Sequence, residues 1–175
     1  MSKDITATLQ ETRKKTLAQR MNIRNGILAL EERMKEIPGA MIGHEMDDHL
    51  PLKHTFAPGV YVREIFIPKG ILVVGKIHKH AHPNFLMSGD VSVLTEEGPV
   101  RMQGPKSMIS PAGTKRVVYA HEDTVWITVH LTGETDLERI EEDVIAKDYT
   151  EVLTEQEEVK LIEFMEEVKQ GGVVL

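Results

Sequence analysis

The sequence contains no cysteine. Thiol nucleophiles, disulfides and thiolate zinc sites are excluded together. No apolar run approaches the roughly 20 residues needed to cross a bilayer as a helix. The chain opens Met-Ser-Lys-Asp, with no apolar signal region. These absences predict a protein made in the cytoplasm with no membrane partner. Gly-x-Gly-x-x-Gly, P-loop and nucleophile-elbow patterns are also missing, which removes the common phosphate-cradling and serine-hydrolase devices. There is no internal repeat and no low-complexity tract. An excess of basic charge is lacking too: Lys plus Arg is 21 against 28 for Asp plus Glu, a net charge of −7. That balance argues against nucleic acid as a main ligand.

What is present is ordinary globular material. The 175 residues are 41% hydrophobic and 28% charged, enough for one folded core. The charge is unevenly placed. Residues 1–40 carry 8 basic and 5 acidic groups, residues 41–133 carry 9 and 9, and residues 134–175 carry 4 and 14. All eight histidines lie between His44 and His130. Three units follow: an N-terminal helical arm (1–40), a β-rich body (41–133) and an acidic helical tail (134–175).

In the arm, Ile5, Leu9, Leu17, Met21 and Leu28 recur at helical steps, with Ile27, Leu30, Met34 and Ile37 beside them. Gly26 interrupts the pattern, so two helices or one kinked helix fit, and Pro38-Gly39 ends it. Residues 40–58 read as a connection, with His44, His49 and His54 solvated beside Asp47 and Asp48. From Val60 to Leu131, short β-rich runs alternate with turn signals such as Pro68-Lys69-Gly70, Ser88-Gly89-Asp90 and Pro111-Ala112-Gly113. That spacing predicts an antiparallel sandwich or barrel. Helix returns after Gly133. Thr135-x-x-Glu138 and Thr154-x-x-Glu157 have the form of capping boxes, and Gly171 terminates the second helix.

The chemical signal is Gly75-Lys-Ile-His78-Lys-His80-Ala-His82. Alternate side chains of a strand share a face, so His78 and His80 point together, and His82 follows if the strand persists. Imidazoles so spaced suit a divalent transition metal. His130 closes the run Val125-Trp-Ile-Thr-Val-His130 and would approach the others across a barrel. Exposure on a polar face, with Lys79 between the histidines, is the plainer alternative. Trp126 reads as core.

Residues 56–131 resemble the cupin superfamily of small double-stranded β-helix barrels. Gly70 or Gly75 before His78-Lys-His80, closed by Gly89, resembles the first cupin motif. Gly104 followed by Pro111-Ala-Gly113 resembles the second. The departures fall on the metal ligands. His82 or Asn84 stands at the glutamate position, Arg116 at the second-motif histidine and Ala120 at the asparagine. The resemblance implies a mainly β, cupin-like barrel with α-helical extensions at both ends, and self-association into a homo-oligomer. It implies a metal set drawn from His78, His80, His82 and His130, holding Zn, Fe, Mn or Ni. More narrowly, the stretch Gly75–His82 with Gly113–Tyr119 and Glu122–Trp126 looks like small cupin-like proteins of tailed bacteriophages.

Three functions follow from this reading. The first is a non-enzymatic assembly or decoration protein of a phage particle, with other virion proteins as partners, located in the host cytoplasm or the virion and with no catalytic residue assigned. The second is a metal-dependent cupin enzyme of the dioxygenase, isomerase or decarboxylase type, with Arg116 or Lys115 gripping a carboxylate. The third is a small carboxylate- or sugar-binding module with Tyr61, Trp126 and Tyr119 as stacking surfaces.

Overall fold

The computed structural model describes residues 2–41, 49–96 and 98–152, with side chains in the first helix described from Gln19 onward. Helix α1 runs over Ser2–Lys35. The strands are β1 (Leu52–Ala57), β2 (Val60–Ile67), β3 (Leu72–Val74), β4 (Ile77–His78), β5 (His82–Ser88), β6 (Asp90–Thr95), β7 (Gly98–Gln103), β8 (Lys106–Ser110), β9 (Val117–Ala120) and β10 (Thr124–Leu131). Helix α2 (Leu137–Val144), strand β11 (Ile145–Ala146) and a 3₁₀ turn over Tyr149–Val152 follow.

Two antiparallel sheets face each other. The larger has the order β1-β2-β10-β5-β8 and the smaller β3-β9-β6-β7, while β4 pairs with β11. With β1 set aside, the strands leave one sheet for the other so that the first and last of them, β2 and β10, lie side by side. This order is that of a double-stranded β-helix, a closed arrangement that leaves few free edges. The mainly β, cupin-like barrel with helical extensions expected from the sequence is the fold observed.

Alternation along the strands builds the core. Leu86, Val91, Val93, Met102 and Trp126 form one buried cluster between the sheets. Leu50, Ile67 and Ala120 form a second. The tight β5–β6 turn depends on Gly89. Its φ is +101°, and a Cβ there would lie 2.2 Å from Thr124 Oγ1 and 2.9 Å from the Asp123 carbonyl.

Helix α1 is continuous through Gly26, so the two-helix alternative is set aside. Ile27 is fully buried. Arg24 Nε pairs with Glu96 at 2.6 Å, and Lys115 Nζ pairs with Glu31 at 3.0 Å. The Arg24 guanidinium also lies 4.6 Å from the centre of the Tyr149 ring. Both members of the Arg24–Glu96 pair are buried, so loss of either would strand a charge at a cost of about 3–5 kcal/mol.

Two further expectations change. The segment 40–58 is not all connection, because β1 begins at Leu52 and pairs with β2 along its whole length. The cap of α2 is Asp136, not Thr135: its carboxylate accepts from the backbone N–H of Glu138 and Arg139. The helix expected over Thr154–Val168, the terminating Gly171, and the loop residues His44, Asp47 and Asp48 lie outside the described residues. Among the described residues, no helix is long and apolar enough to cross a membrane.

Candidate metal centre

His78 is fixed by its backbone. After β3 the chain crosses Gly75, whose N–H bonds the Arg116 carbonyl at 2.8 Å. Strand β4 lasts only two residues and pairs with β11, with His78 opposite Ile145. The His78 N–H donates to the Thr114 carbonyl at 3.1 Å, and its own carbonyl accepts from Gly113 at 2.8 Å. The chain then bends at Lys79, whose N–H donates to the Val144 carbonyl at 2.8 Å. His82 opens β5 opposite Ser110 of β8. His130 lies on β10 opposite Tyr61 of β2.

These three imidazoles meet inside the barrel. Ring centres lie 4.2 Å apart for His78 and His82, 4.7 Å for His82 and His130, and 5.2 Å for His78 and His130. One ring nitrogen from each falls within 4.8 Å of the others. Burial, then the neighbouring His82 and His130, pushes the His78 imidazole down to about 2. Burial, then His82 and Arg63, pushes His130 down to about 4. Burial also lowers His82, against the hydrogen bond it donates to the His80 carbonyl, which raises it. All three are therefore neutral near pH 7 and present lone pairs.

The nitrogens are not otherwise used. His82 Nδ1 donates to the His80 carbonyl at 3.0 Å, which leaves Nε2 as the lone-pair atom. His82 Nε2 and His78 Nδ1 are both buried without a hydrogen-bond partner. Two orphaned ring nitrogens in a neutral imidazole cluster fit a bound cation, and the backbone bond to Nδ1 is the kind of outer contact that orients a ligating histidine.

A polar network lies beside the cluster. Trp126 Nε1 donates to Asn84 Oδ1 at 3.0 Å. Asn84 Nδ2 donates to the His82 carbonyl at 3.1 Å and to Ser110 Oγ at 2.5 Å. Arg116 Nη2 donates to Ser110 Oγ at 2.6 Å, and its guanidinium lies 5.9 Å from the Trp126 ring centre. The Arg116 charge is among those that depress His78 and His82. On the other side of His130, Tyr61 stacks at 6.1 Å and is covered by Ile140 and Val144 of α2.

The sequence-derived candidates separate accordingly. His78, His82 and His130 converge, with Arg116 beside them. His80 does not join: the bend after His78 ends the strand, so period-two alternation fails and His80 is exposed. Tyr61 is no open stacking surface, because His54, Phe56 and His130 lie against its ring and its hydroxyl lies 2.8 Å from His54 Nδ1. His54 is thus a packed residue of β1, not a solvated one. Tyr119 alternates with the core residue Val118, so it faces outward, half-exposed, edge-on to His121. Lys115, offered as a carboxylate grip, is committed to Glu31 of α1. Ser110 carried no signal in the sequence, being a lone serine in a short strand.

No family model and no curated protein matches the chain. Solved structures do match. A cupin superfamily protein from Desulfitobacterium hafniense has 8% identity and a TM-score of 0.42, covering 47% of this chain and 76% of that one. A cupin-family protein with a double-stranded β-helix fold from Methanocaldococcus jannaschii has 11% identity and a TM-score of 0.42, covering 48% and 81%. An acetylacetone dioxygenase from Acinetobacter johnsonii has 13% identity and a TM-score of 0.40, covering 47% and 59%. Each of these likenesses is weak, and none bears on what this chain does.

Proposed function

We propose that the barrel interior binds a divalent transition-metal ion on His78, His82 and His130 and works on a small ligand held next to it. The observation that carries this is the inward cluster of three neutral imidazoles, two of whose buried ring nitrogens have no protein partner. An all-imidazole set suits Zn, Fe or Ni better than Mg or Ca. When bound, such an ion supplies Lewis acidity toward a ligand atom. The chain's own residues do the positioning. The His80 carbonyl sets the His82 tautomer, and Tyr61 with Ile140 and Val144 closes the apolar side of His130. The test is elemental analysis of protein purified without chelator. Near one equivalent is expected. Either His82→Ala or His130→Ala should drop it below about a tenth, whereas His80→Ala leaves it unchanged. Less than about a tenth of an equivalent in the wild type overturns the reading.

A second reading, self-association for an assembly role, draws on the outer face of the larger sheet. Phe66, Phe85, Met87, Ile109 and Leu131 are exposed there, around Ile127 on the central strand. Five strands at about 4.8 Å spacing and about 3.3 Å per residue make a face on the order of 500 Å² in plan. That approaches the roughly 800 Å² per partner of a standard interface. A second copy, sheet against sheet, is the occupant that this mostly apolar face fits best, with Glu64 and Lys53 adjoining Ile127 on its β1–β2 side. Light scattering at a dimer mass supports it, and a monomer at about 100 μM sinks it. Membership of a phage particle rests on the sequence resemblance. Its test is co-purification with particles, and absence from them overturns it.

A further inference from the structure

Hydrogen-bond accounting in the polar network leaves two donors over. Indole N–H only donates, so the Asn84 amide must turn its Oδ1 to Trp126 and its Nδ2 to Ser110. Guanidinium N–H also only donates, so Arg116 Nη2 gives Ser110 a second proton. Ser110 Oγ thus accepts twice, from Asn84 and from Arg116. Its own hydroxyl proton has no acceptor in the network, and Ser110 is fully buried. Arg116 Nε is likewise buried with no partner. Among the described residues no acidic side chain bonds the guanidinium, and the one buried carboxylate, Glu96, is held by Arg24. A half-buried cation with no counter-charge, beside a hydroxyl with a proton to give, lacks an acceptor of negative charge.

We infer that Arg116 Nε–H and the Ser110 hydroxyl form a carboxylate-binding subsite, so that the small ligand of this barrel is a carboxylic acid. The inference deepens the reading above by naming the ligand class, but it does not depend on the metal. A planar carboxylate offers two acceptor oxygens, one to the guanidinium N–H and one to the hydroxyl, and the cation makes the first a charge-assisted bond. Burial alone lowers the Arg116 guanidinium from its ordinary range, as expected of a cation whose partner arrives with the ligand.

Trp126 is the single tryptophan of the chain and lies against Arg116, so its emission reports this subsite directly. Chelator-treated protein is titrated with acetate, oxalate and inorganic phosphate. The carboxylates should change the emission saturably. Arg116→Gln should weaken oxalate at least about tenfold and Arg116→Lys less, Ser110→Ala should weaken it about threefold, and the surface variant Arg101→Gln should leave it unchanged. Circular dichroism checks the fold of each, and the Lys variant retains the test if the Gln variant does not fold. No saturable change with acetate or oxalate up to about 10 mM overturns the inference. So does equal affinity in Arg116→Gln, or phosphate binding more tightly than oxalate. Metal content is measured on the same samples. Oxalate binding through Arg116 in a protein that takes up no metal would remove the metal reading and keep this one. A loaded metal with oxalate indifferent to Arg116 would do the reverse.

Discussion

The two faces of strand β10 have opposite characters. Inward it presents Thr124, Trp126, Thr128 and His130, all buried, and outward Val125, Ile127, Val129 and Leu131. A solvated sheet would show the reverse order, apolar within and polar without. The inversion assigns each face a task. Buried polar groups need partners: Trp126 and Asn84 bond each other, and the three imidazoles form the cluster to which the proposed ion is assigned. On β10 the outward side chains are apolar, the pattern expected if that side meets another surface, as in the self-association proposed above. Below the polar end, the cluster around Leu86 supplies the ordinary core that keeps the barrel closed.

The largest expected break of this contrast is in the apolar floor. Leu86→Ala, at a fully buried position, should cost about 4 kcal/mol, read from urea unfolding. A loss under about 1 kcal/mol would mean the inner face is held by its polar bonds instead. Next comes pH. Metal-free protein has His78 at about 2 and His130 at about 4, both below the unfolded value near 6.5. Below 6.5 the unfolded chain binds more protons than the folded one, so stability falls as the pH falls. From pH 6.5 to 5 these two groups together should remove on the order of 3 kcal/mol, with His82 acting in the same direction. A flat urea midpoint across that window would contradict their burial as neutral groups. Trp126→Phe keeps an aromatic side chain but leaves Asn84 Oδ1 buried without its indole donor, for a loss of about 2 kcal/mol. Smallest is the outer pair Ile109→Asp with Leu131→Asp. The monomer's unfolding midpoint should move by less than about 0.5 kcal/mol, while the mass in light scattering falls from dimer to monomer. A large midpoint shift in dilute protein would show that the outer face is not a separate surface.

Much of this was legible from local pattern, and the failures have physical causes. Turn residues such as Gly89 and Pro111-Ala-Gly113 punctuate the barrel, and strand-length runs between them mark most of its strands. Strand β1 was hidden because its alternation, Leu52-His54-Phe56, sits among His, Asp and Pro residues that read as loop. Placing His80 with His78 assumed one continuous strand. The bend that separates them is fixed by Val144 and Ile145 of the C-terminal segment, far along the chain, and period-two logic does not see such a partner. Arg116 stood out by occupying a histidine position of the motif. Ser110 and the proton count around Asn84 needed coordinates, because hydrogen-bond direction is a property of neighbours and not of spacing.

The place of β10 in the larger sheet also sets an order of events. His78 and His82 are neighbours in sequence and can meet early, whereas His130 enters only when the last barrel strand inserts between β2 and β5. Such long-range pairing is slow compared with local contacts. Any ion that requires all three nitrogens therefore grips only a chain whose barrel is already shut. A ribosome-bound chain that has not yet released residue 130 lacks the third ligand. If the proposed ion binds, its loading would mark completed folding, because the half-made barrel offers two imidazoles and not three.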